Sequence, residues 1–100
     1  MTKHPKVLLV IIAEAVLEPL LVADARRLGA QGYTAHDVRG GSPHATREGI
    51  WESDRTVEIK FICAAGVADA LAAHVMQHYA PHYGVTLFFS AVEVLRPDKY

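Results

Sequence analysis

A single cysteine, Cys63, stands in the chain, so no disulfide can close within it. A stapled mini-protein is excluded, and a reducing compartment suits the lone thiol. Positive charge is not in excess either: 10 lysines and arginines meet 11 acids, for a formal net charge of −1. Without a basic surplus, a surface built to hold a nucleic-acid backbone by charge is excluded. The apolar run VLLVII near the amino terminus is too short to span a membrane. Read instead as a cleaved signal, its loss would strip the most strand-like segment, so the expected compartment is the cytoplasm. Aromatics are few, and the one tryptophan, Trp51, falls in a polar stretch. A large ring in such a place often packs on a partner or ligand; the plainer reading is that it folds back on its own domain.

What the chain does have is apolar residues, 51% of its length, against 21% charged. That balance predicts one globular domain, residues 1–100, with a modest core that a second copy could enlarge. Lys6 to Ala13, KVLLVIIA, predicts a strand buried on both faces. Leu17, Leu20, Leu21, Ala25 and Leu28 then recur at helical spacing. Pro19 is tolerated only in a first turn, which starts this helix near Leu17 or Glu18. Arg26 and Arg27 suit its last turn, and Gly29 and Gly32 mark its end. Tyr33 to Arg39 predicts a second strand, and Thr56 to Cys63 a third with strict alternation. A second helix is expected from Gly66, as a weak N-cap, to Tyr79, with Val67, Leu71, Val75 and Tyr79 inward. Val85 to Leu95 predicts a fourth strand.

The order β-α-β-β-α-β is the α+β, ferredoxin-like split βαβ arrangement: a four-stranded antiparallel sheet with two helices on one face. The first and last strands are apolar on both faces, yet two helices cover only one. The other face must meet something, and another copy of the chain is the simplest candidate.

Between the second and third strands, Gly40 to Arg55 reads GGSPHATREGIWESDR and fits no regular element. So long a connection is usually functional or disordered. The strands on either side should pair, making it an arm on a hairpin. Gly40, Gly41 and Ser42 follow a strand directly, where backbone N–H groups can approach a phosphate; the alternative is a plain hinge. Arg39, Arg47, Arg55 and Arg96 offer forked contacts to phosphate or carboxylate, against a simpler role as solvated partners of Glu48, Glu52 or Asp54. His36 and His44 sit beside the arm and could meet a ligand. His74 and His78, at i and i+4, with His82 beyond, have a metal-compatible spacing, but nothing nearby in sequence completes a set and a structural role is favoured. Cys63 reads as a buried thiol. No nucleophile, base and orienting group assemble, so the chain is expected not to be an enzyme.

These segments together resemble the PII-like signalling proteins. The resemblance runs along nearly the whole chain: GYTAHDVRGG leading into the arm, then TVEIKFIC, then HYAPHYGVTLFFSAVEVLRP. The last segment is most similar to the divergent branch associated with carboxysomes and bicarbonate transporters. The resemblance implies a homotrimer that binds adenine nucleotides between subunits and signals through the arm, the T-loop of that family. Thr34 and Gly40–Gly41–Ser42 match the base of the T-loop, and Tyr83 and Gly84 its B-loop. Arg96 matches the basic residue after the last strand. The implied nucleotide set is Thr34, His36, Arg39, Gly40, Gly41, Ser42, Arg47, Tyr83, Gly84 and Arg96. Arg47, His44 and Lys60 are the candidates for a bicarbonate or other small anion.

No cofactor or metal is expected. The expected ligands are ADP and AMP, with ATP a further candidate and bicarbonate a co-ligand. The expected protein partner is a T-loop target, a transporter or carboxysome component, so that membrane association would be indirect; no nucleic acid is expected. The sequence departs from the nitrogen-sensing members in having no tyrosine between Gly40 and Arg55 and no glutamine there. Two rivals share the fold: an acylphosphatase-type enzyme, which needs an anion loop after the first strand, and an RNA-binding module, which needs aromatics on the central strands.

Overall fold

The computed structural model describes residues 1–41 and 55–100. Four strands, β1 (His4–Glu14), β2 (Thr34–Val38), β3 (Thr56–Cys63) and β4 (Thr86–Val94), form one antiparallel sheet in the order β2-β3-β1-β4. Two helices, α1 (Glu18–Leu28) and α2 (Ala65–His78), pack on one side of it. This is the ferredoxin-like arrangement that the element order predicts.

The period-two pattern of β3 decides which side is which. Val57, Ile59, Phe61 and Cys63 are buried beneath the helices, and Thr56, Glu58, Lys60 and Ile62 alternate outward. The register extends that division across the sheet: Leu9 faces Phe61 and Ile11 faces Ile59 on the helix side. These four join Leu17, Leu21, Ala25, Ala68, Leu71 and Val75 in the core. Cys63 is among the buried residues, and burial pushes its thiol up despite the nearby charge of Lys6.

α1 begins where Pro19 requires. Ala15–Leu17 forms a single 3₁₀ turn, and Pro19 follows in the first turn of α1. The helix ends on Gly29, whose φ of 114° lies in the left-handed region and whose N–H closes onto Ala25 and Arg26. α2 departs from its expected start. Its N-cap is Ala64, in extended geometry without a side-chain cap, and Gly66 lies inside the first turn. Its buried stripe is Ala68, Leu71 and Val75, with Val67 and Tyr79 half-buried beside it. The stripe is thus turned towards Ala68, whose small side chain lets the helix sit close on the sheet. β2 and β4 are each one residue shorter at both ends than the sequence predicts, and β1 extends from His4 to Glu14.

The uncovered side of the sheet carries Leu8, Val10, Ile12, Ile62, Phe88 and Val92, with Thr34, His36, Glu58 and Lys60 towards the β2 edge. Val10 is almost wholly buried there by its neighbours, whereas Phe88 is 46% exposed.

Candidate functional site

The base of the arm is fixed from two sides. β2 and β3 pair in antiparallel register, Val38 opposite Thr56, so the arm leaves and returns at one end of the sheet. Arg55 donates from Nη2 to Asp37 Oδ1 at 3.1 Å, bridging the two strand ends. Its carbonyl accepts from the Ala15 N–H at 2.8 Å, which ties the return of the arm to the turn before α1. Arg39, Gly40 and Gly41 are exposed here, and nothing crowds either glycine. Ser42, His44, Arg47 and Trp51 lie outside the described residues.

Just below this root, two rows of the open face bring sequence candidates together. His36 stands opposite Glu58, with Nε2 and Oε2 2.9 Å apart, and Thr34 stands opposite Lys60. Lys60 in turn neighbours Val10 on β1. Arg39, Lys60 and Arg96 form no ion pair among the described residues, which leaves three cations without a carboxylate partner there.

Tyr83 and Gly84 belong to the same end of the molecule. They precede β4, whose first residue, Thr86, is opposite Ile12 near the end of β1. Arg96 does not join them. It follows Val94, which is opposite His4 at the start of β1. β1 has 11 residues, so the two ends of the sheet stand roughly 33 Å apart at strand rise. Within one chain the candidates therefore fall into two groups. Arg39, Gly40, Gly41, Tyr83 and Gly84 lie at one end with His36 just below, Thr34 and Lys60 lie near mid-sheet in the row of Val10, and Arg96 lies at the other end.

One cluster escaped the sequence reading. Asp24 of α1 meets three side chains: its Oδ2 accepts from Tyr79 Oη at 2.5 Å and lies 3.0 Å from His74 Nε2, and its Oδ1 accepts from Arg27 at 3.3 Å. Burial alone would raise the Asp24 carboxyl, but the hydrogen bonds from Tyr79, Arg27 and His74 outweigh it and hold the carboxyl below 3.8. Burial, then the hydrogen bond to Asp24, push the Tyr79 phenol up to about 12. The His78 ring lies over His74, with centroids 4.4 Å apart. His74 thus bonds across to α1 and stacks against His78, and no group of three or more His, Cys, Asp or Glu that could hold a metal occurs among the described residues. The only local hint of the cluster was an acid on the flank of an otherwise apolar stripe.

The family model for the nitrogen regulatory protein P-II matches residues 6–99. The chain belongs to the PII family. Among solved structures, a protein of Thermus thermophilus described as PII-like signalling is 35% identical, with a TM-score of 0.85, and the match covers 100% of this chain and 99% of that one. CPII of Thiomonas intermedia, bound to ADP, AMP and acetate, matches over 100% of this chain and 98% of its own with a TM-score of 0.85; at 21% identity it supports the fold alone. The same protein bound to ADP and bicarbonate is 23% identical over 98% of this chain and 96% of its own, also with a TM-score of 0.85. No curated protein matches the chain. No helix among the described residues of this PII-family chain is long and apolar enough to cross a membrane.

Proposed function

We propose that the protein is a non-catalytic sensor of ADP or AMP that works as a homotrimer in the cytoplasm. One group of candidate residues from each chain would meet Arg96 of the next, and the nucleotide would lie between them. The observation that carries this reading is the separation of the two groups along β1. Neither end is a site by itself, and the open apolar face gives three copies a reason to associate. Adenine would lie near Tyr83 and Gly84, and the phosphates near Gly40, Gly41, Ser42, Arg47 and Arg96. Thr34, His36 and Arg39 would flank them.

The ligands recorded with CPII support ADP and AMP as the nucleotides and bicarbonate as a co-ligand. A small anion would sit with Lys60, His44 and Arg47 beside the shorter nucleotides, where a γ-phosphate of ATP would compete for space. The arm would report occupancy to a protein target in inorganic-carbon metabolism, a transporter or a carboxysome component. The rival functions lack their groups. β1 runs directly into a 3₁₀ turn, leaving no anion loop. The open-face residues of the central strands, His4, Lys6, Leu8, Val10 and Ile12 of β1 and Thr56, Glu58, Lys60 and Ile62 of β3, include no Phe, Tyr or Trp for stacking a base.

Calorimetric titration of AMP, ADP and ATP, each with and without bicarbonate, tests the proposal. Saturable binding of ADP or AMP is expected. If bicarbonate tightens ADP, ADP tightens bicarbonate by the same factor. Absence of binding by all three nucleotides would overturn the reading.

A further inference from the structure

Tyr79 holds both ends of a structural joint. It is the C-cap of α2, with its N–H on the Val75 carbonyl at 2.9 Å. Its own carbonyl accepts from the N–H groups of both His82 and Tyr83, each at 2.9 Å. The turn that presents Tyr83 and Gly84 is therefore suspended from one peptide group. The Tyr79 side chain ends on the Asp24 carboxylate of α1. Asp24 is itself gripped by His74 from α2 and by Arg27 from its own helix. The hydroxyl lies far in sequence from its acceptor, so the bond fixes α2's end against α1 in a way that local helix geometry cannot.

We propose that Asp24 and Tyr79 are positioning residues for the nucleotide: through the Tyr79 carbonyl they set the placement of the Tyr83–Gly84 turn against the adenine. This rests on the nucleotide reading above and adds to it two residues that touch no ligand. A hydroxyl-to-carboxylate bond is short and directional. Its loss leaves the turn attached by backbone bonds alone, free to shift on the end of α2. Affinity then falls because part of the binding energy goes into reordering the turn.

The test is a double-mutant cycle on ADP affinity, measured calorimetrically with the full chain. Tyr79→Phe, which keeps the ring packing, is expected to weaken ADP roughly three- to tenfold, the size of one net hydrogen bond. In a Tyr83→Ala background the same substitution should change affinity by less than about twofold, because the contact it positions has gone. Asp24→Asn, which keeps an acceptor oxygen, should fall between wild type and Tyr79→Phe. Ile59→Val loosens the core away from the joint, and should lower the melting temperature while leaving ADP affinity unchanged. Equal losses from Tyr79→Phe in both backgrounds would overturn the positioning role, as would an Ile59→Val chain that loses affinity in step with its stability. A wild-type chain that takes up no ADP overturns the nucleotide reading, and this inference with it.

Discussion

Tyr79 and Asp24 are shifted in opposite directions: burial, then the bond to Asp24, raises the phenol, whereas hydrogen bonds from Tyr79, Arg27 and His74 outweigh burial and lower the carboxyl. A tyrosine in an unfolded chain titrates near pH 10, whereas burial and the Asp24 carboxylate push Tyr79 up to about 12. The folded state keeps the phenol proton more tightly than the unfolded one. Its stabilisation is complete below about pH 10 and disappears as pH rises through about 12. Asp24, held below 3.8, gives stability that is present above the ordinary carboxylate range and is lost as pH falls through its lowered value. Tyr79→Phe should cost about 1–3 kcal/mol at neutral pH, and thermal melts should show the wild-type advantage shrinking across the alkaline limb. A constant gap up to the highest pH would contradict the assignment. At the far end of the sheet, Arg96→Ala should remove a charge-assisted phosphate contact. ADP would then bind about one to two decades more weakly, with the melting temperature of the ligand-free chain unchanged.

Among the elements, α1 shows how a single backbone position can be tested. Gly29 has a φ of 114°, and a Cβ built there would lie 3.2 Å from Val67 Cγ2 on α2. Gly29→Ala should therefore destabilise by about 1–2 kcal/mol from the left-handed conformation. Chemical denaturation would show the midpoint falling while the slope stays constant. This cap was legible in the sequence, because Gly29 follows a helical stripe and a basic last turn. β3 was legible to the residue, since TVEIKFIC alternates strictly and only one register buries Val57, Ile59 and Phe61 together. The start of α2 was harder to read. Ala64, Ala65 and Gly66 offer no capping side chain, so nothing in the local chemistry distinguishes the first turn from the residue before it. The contact between the helices in the Asp24 cluster could not be read: its partners on α2 are 50 and 55 residues away, and helix periodicity places Asp24 on a flank without saying what it meets.

At the scale of the molecule, the candidate site was half legible. Strand alternation puts Thr34, His36 and Lys60 on one face, and topology puts Tyr83 and Gly84 at the same end of the sheet. The same topology puts Arg96, which follows β4, at the opposite end, and the register of β4 on β1 adds only the exact offset, with Val94 opposite His4. On the proposed reading, the separation makes oligomerisation a condition of function. Sedimentation equilibrium should give three times the 10.9 kDa chain mass. A stable monomer at micromolar concentration would leave the two groups of residues without each other.

The composite site is tested most directly by mixing two defective chains. Tyr83→Ala spoils the turn and Arg96→Ala the phosphate contact, and each variant alone should bind ADP weakly. After unfolding the two together and refolding at equal concentrations, each mixed trimer can pair an intact turn from one chain with an intact Arg96 from another. Random assembly would restore about one site in four to wild-type affinity, seen as a tight phase in calorimetric titration. If the refolded mixture shows only the weak binding of its parents, the two groups do not meet across a subunit boundary, and the proposed site is wrong.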